Sequence, residues 1–325
     1  GTSQQKSGSV TIQTGKSDAA SNSHGSGAVS MTSGNSLGAS GSLSFEAGHS
    51  NTVGGGILLK AGSSTDATGG SIILKSGDST ENHVGGQIDV QTAAGESSGK
   101  ISLSTGIANT GDSGNIRIST GSSVTSIAGS IVMSTGKSTT GGNDIVIDAG
   151  ANDVATGGSI NVRSGYGASM TGSLSLKSGD STGAGNGGNI DVSSGAASTG
   201  DSGRIRITSG QSSEGKAGAI FMQTGAGSGA GNLVLKSGAS ANSNVGDVQI
   251  NVADSQDSNG GSVLINAGTS ALLTGGHILV KSGASEAGRS GSVNLVTSGG
   301  SSSGSVEIST GSGNSGFSGE ISLRS

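Results

Sequence analysis

The 325-residue chain reads as all-β, a parallel β-solenoid of about 22 stacked coils with about 15 residues per repeat. Three observations predict this class. One motif, Gly-x-Φ-x-Φ-x-[Thr/Ser/Ala]-Gly with Φ aliphatic or occasionally Met or Phe, recurs from Gly8-Ser9-Val10-Thr11-Ile12 to Gly319-Glu320-Ile321-Ser322-Leu323. Its apolar positions alternate at period two, the signature of a strand with one sheltered face. Its spacing is 13 to 16 residues after an initial 19 and averages 14.8 over 22 copies, a regularity that outranks local propensity.

Within each copy, Φ, Φ and the small Thr, Ser or Ala share a parity. The residues between them vary freely, as at Thr11, Ser44, Asp89, Arg117, Asn161 and Glu307. Restriction at one parity and freedom at the other marks an inside and an outside. The expected core ladder therefore runs through pairs such as Ile72 and Leu74, Ile116 and Ile118, and Ile205 and Ile207.

After the closing glycine, a serine recurs two residues on, for example at Ser17, Ser36, Ser64, Ser79, Ser123, Ser138, Ser181, Ser212 and Ser285. Its parity is opposite to that of Φ, so the chain turns at the glycine, where positive φ costs little. About eight further residues, often ending Gly-Gly, complete the repeat. They are long enough to return along a strand of about 20 Å. One repeat per coil is the simplest arrangement, with coils about 4.8 Å apart. Two or three repeats per coil remain open alternatives. An antiparallel meander fits poorly, because its connections would exceed the usual 2–5 residues.

The array occupies residues 1–325 without an internal boundary or recognisable caps. Uncapped ends imply continuation into more chain or head-to-tail stacking. Near-copies such as Thr110–Ile118 and Thr199–Ile207, or Leu74–Thr80 and Leu176–Thr182, point to growth by repeat copying.

Composition narrows the function. The chain holds 66 glycines, 68 serines and 26 threonines, one tyrosine, three phenylalanines, and neither proline, cysteine nor tryptophan. Disulfide scaffolds and cysteine-ligated zinc are excluded. A net charge of −5 without a basic cluster argues against nucleic acid as a partner. No apolar run approaches the ~18 residues of a membrane span, and no secretory h-region opens the sequence, which implies a removed signal or a piece of something longer.

Several motifs tempt and fail. Gly15-Lys16-Ser17 and Gly136-Lys137-Ser138 look like the end of a phosphate-binding loop, but Val10 and Ile131 stand where its first glycine is required. Gly111-Asp112-Ser113-Gly114 and Gly200-Asp201-Ser202-Gly203 look like a serine-protease nucleophile. A triad also needs a histidine held by a carboxylate, and His24, His49, His83 and His277 fall in different repeats. Asp78, Asp112, Asp180 and Asp201 lie in turns without the calcium-binding β-roll signature. No catalytic, metal or cofactor residues are assigned, and an enzyme is not expected.

The free central position turns apolar in neighbouring pairs: Leu58 with Ile73, Val132 with Val146, Phe221 with Val234, and Leu264 with Leu279. Stacked, these would form small apolar patches suited to lateral contact with another rod. The 19 asparagines also include no Asn-x-Ser/Thr, an absence that suits a secreted rod avoiding glycans.

The recurring Gly-Ser-Ile-x-Leu-x-Ser-Gly-x-Ser-Thr phrase resembles Gly/Ser/Thr-rich tracts of large extracellular proteins of diatoms and related algae. That resemblance covers the whole chain and implies cell-wall, mucilage or fibre roles. A second likeness is to ice-binding and ice-nucleating solenoids, although threonine takes the central outward position only at Thr11. The expected function is a structural or adhesive extracellular or cell-surface rod, a fibre or filament segment, with ice binding as the alternative. The expected partners are further copies of itself, head-to-tail or lateral, with matrix polysaccharide or ice outside the protein.

Overall fold

Each copy of the motif ends on a small side chain and the next opens on a glycine, and it is these two ends that meet. In the computed structural model, which describes residues 7–17, 25–80, 83–240, 244–313 and 316–324, a Cβ built on Gly55 would lie 3.1 Å from that of Ala47. The same approach recurs between Gly70 and Ala61, Gly129 and Thr120, and Gly203 and Ser194. Ten such junctions are closed by one backbone hydrogen bond, in which the opening glycine donates its N–H to the carbonyl of the closing glycine. Gly70 to Gly62 and Gly158 to Gly150 are the shortest, at 2.8 Å. Glycine is required here for room. None of the described glycines has φ in the left-handed region, so the turn expected to exploit positive φ is made otherwise.

Serine makes it. Two residues past the closing glycine, the Ser64 Oγ accepts the Ala67 N–H at 3.0 Å. Ser123, Ser212, Ser270 and Ser285 accept in the same way from the amide three residues on. Asn152 substitutes for serine, its Oδ1 taking both the Val154 and Ala155 amides. These are side-chain-closed turns, in which a short polar group supplies the acceptor that a backbone carbonyl would otherwise give. Each is followed by a bend before the next copy begins.

The chain divides into two units, Gly1–Val162 and Arg163–Ser325. In the first, glycine-to-glycine bonds close the loops 48–55, 62–70, 77–86 and 150–158. In the second they close 165–172, 179–188, 195–203, 210–218, 268–276 and 283–291.

The β-solenoid is overturned. Among the described residues there is no helix and no β-strand, and no residue is buried. The ladder residues Ile72, Leu74, Ile116, Ile118, Ile205 and Ile207 are all exposed, as is the central Ile73. The chain exposes 32976 Å². A folded protein of its mass would expose about 12,000 Å² and an unfolded one about 44,000 Å². The cause is compositional. A coil must order about 15 residues at ~1–2 kcal/mol each, and glycine loses most. Each coil offers only two aliphatics to bury, at ~1.5–3 kcal/mol apiece.

What remains of the alternation is a gradient. In every copy after the first, the first aliphatic is 50–59% exposed, whereas the central apolar residues reach 73–91%. Each closed loop brings the opening glycine of one copy against the small closing residue of the copy before, beside the first aliphatic.

Candidate functional site

The chemistry-bearing residues of the sequence sit in the loops and remain apart. Gly15, Lys16 and Ser17 line an open concavity together with Gln13, Thr14, Gly25 and Ser26. Among the described residues there is no helix whose terminus could serve a phosphate-binding loop. Ser113 and Ser202 lie in exposed loop-to-motif junctions. His49 and His83 belong to different loops, His277 to the opening of a motif, and His24 lies outside the described residues. No group of three His, Asp or Glu among the described residues could hold a metal ion. Among the described residues no helix is long and apolar enough to cross a membrane.

Two ion pairs mark a duplicated phrase. Lys75 Nζ lies 2.9 Å from Asp78 Oδ2, and Lys177 Nζ lies 2.7 Å from Asp180 Oδ2. Both pairs straddle a closing glycine in the sequence Leu-Lys-Ser-Gly-Asp-Ser-Thr. The serines there, Ser79 and Ser181, donate to nearby carbonyls of Thr80 and Gly183 instead of accepting amides. Both loops are also the widest closed by a glycine bond, 77–86 and 179–188. The same local sequence gives the same ion pair and the same loop width in the two units, while the serines reach different carbonyls.

What the structure presents repeatedly is the motif segment itself. Residues 71–76 carry Ile72, Ile73 and Leu74 in solvent at 55%, 83% and 68% exposure. Among the described residues their backbone N–H and C=O groups meet no backbone partner. The residues expected to make lateral contacts, Leu58, Ile73, Val132, Val146, Phe221, Val234, Leu264 and Leu279, are the most open positions of their segments. They decorate segments exposed on both parities, not the outer wall of a packed rod. Sequence reasoning missed the junction between the small closing residue and the opening glycine. Its signal was present in the motif, which keeps both ends small in almost every copy.

No protein family, curated protein or solved structure matches the chain.

Proposed function

We propose that the chain is a structural and adhesive repeat tract of an extracellular or cell-surface matrix, a segment of a fibre or filament. One observation carries this reading. Twenty-two copies present the same aliphatic pair mostly in solvent, and no copy departs from the pattern to gather an acid, a base and a nucleophile. A contact repeated so often acts by multivalency, in which many weak engagements give strong adhesion without a single strong site. Lack of N-glycosylation acceptors fits an exterior rod that avoids bulky glycans. The ice-binding alternative draws no support from the geometry: Thr11 is the one threonine at the central position, and no sheet among the described residues ranks side chains in a plane.

Immunogold electron microscopy of the native material, with antibodies to the full chain, tests this reading. Label along extracellular fibres or the cell surface is the expected result. Label confined to the cell interior removes it.

A further inference from the structure

We infer that the motif segments pair edge to edge as β-strands with those of a second copy of this chain. This deepens the structural reading above and rests on it only for the biological setting. The pairing lies between chains and differs in kind from coils stacked within one chain.

Four observations converge. First, both edges of each segment are open: residues 71–76 leave their backbone groups to solvent, and the ten glycine-to-glycine bonds all lie outside such segments. An extended segment with open edges is a template for strand addition. Second, the closed loops work against pairing of consecutive segments in one chain. Six to eight residues intervene between the bonded glycines, longer than the 2–5 that hairpins use. The partner is therefore sought elsewhere.

Third, the segments are complementary to themselves. Each of the 22 carries Φ-x-Φ at the same parity, so any copy can align with any other and keep its aliphatic pairs on one face. Ser71-Ile72-Ile73-Leu74-Lys75-Ser76 is apolar at its centre on both faces and contains neither proline nor glycine, the composition of segments that stack between chains. The chain contains no proline anywhere, and proline is one of the devices that blunt an edge. Fourth, the area suffices. The chain exposes 32976 Å², about 20,000 Å² beyond a folded protein of its mass. A stable pair of proteins needs only about 800 Å² per partner. Copies with an apolar centre, such as those of Ile73, Val132 and Phe221, should pair first, and copies centred on Asp89, Arg117 or Glu307 later, since like charges placed opposite one another oppose pairing.

The test uses the full chain across a concentration series, followed by sedimentation and by amide I infrared spectra. A mixture of carbon-13-labelled and unlabelled chains reports whether paired strands come from different molecules. Strand signal should rise with concentration together with sedimenting mass, and the mixture should show cross-chain coupling. A variant with Ile73→Pro, Val132→Pro, Val146→Pro, Phe221→Pro and Val234→Pro removes five pairing amides and should raise the concentration for half-assembly about tenfold or more. The control Thr65→Pro, at the turn position where proline is favoured, should leave it unchanged. Strand signal independent of concentration in a monomer, assembly unaltered in the five-fold variant, or no assembly at any soluble concentration would each overturn the inference. Failure here with fibre label in the tissue leaves the matrix role standing on side-chain contacts alone. Assembly in vitro with label inside the cell removes the role and keeps the pairing.

Discussion

Ser64 holds its loop with one oxygen, and removing that oxygen should be felt only there. Ser64→Ala deletes the acceptor of the Ala67 amide at 3.0 Å, and an exposed hydrogen bond of this kind is worth ~0.5–1.5 kcal/mol net. Amide exchange at Ala67 should accelerate about two- to tenfold by that measure, with Ser126 and Gly288, capped by Ser123 and Ser285, unaffected. A change at those distant amides in an NMR exchange experiment would show the loops to be coupled. The opening glycines give the complementary case. A Cβ at Gly70 would lie 3.3 Å from the Gly62 nitrogen and 3.4 Å from the Ala61 Cβ, while one at Gly56 meets nothing within 4 Å. Gly70→Val should therefore lose the bond from residue 70 to the Gly62 carbonyl, seen as loss of protection at that amide. Gly56→Val should leave the Gly55 to Gly48 bond in place.

At the scale of the loop, the ion pairs invite a stabilising role that their surroundings deny. Lys75 and Asp78 are 71% and 81% exposed, and solvent screens such a pair to about 0–1 kcal/mol. Lys75→Ala and Lys177→Ala should leave exchange at Gly86 and Gly188, the amides that close those loops, unchanged, and raising the salt concentration should do nothing further. Slower closure in either variant would give the pairs an importance beyond their exposure. This element was largely legible in the sequence. The period, the parity and the serine two residues past each glycine all located the turns, because turn chemistry is local and depends on a few side chains. Positive φ was expected at the closing glycines and none shows it; the steric demand falls on the opening glycines Gly55 and Gly70, which approach Ala47 and Ala61. The stacking of strands was not legible, because a sheet depends on burial summed over neighbours. Ile72 and Leu74 carry the right alternation but too little apolar area per residue ordered.

For the whole molecule, cohesion that stays local makes a definite thermal prediction. In an ordinary domain, melting absorbs ~0.7 kcal/mol per residue in one cooperative step, because buried area is released together. Here no described residue is buried, and the widest backbone bonds, Gly86 to Gly77 and Gly188 to Gly179, reach across nine positions of the chain. No bond among those closing the loops links one loop to the next, so each opens on its own. Calorimetry of the dilute chain should show no cooperative peak, and circular dichroism should drift smoothly with temperature. Deleting one repeat, residues 129–142, should shift backbone resonances only in the copies beside the cut, since each junction joins only the closing end of one copy to the opening of the next. A peak that emerges and grows as concentration rises would belong to assembled chains, because only contacts between molecules can then supply the buried area that one molecule lacks. A sharp peak in the dilute monomer would mean that the aliphatic pairs find shelter within a single chain.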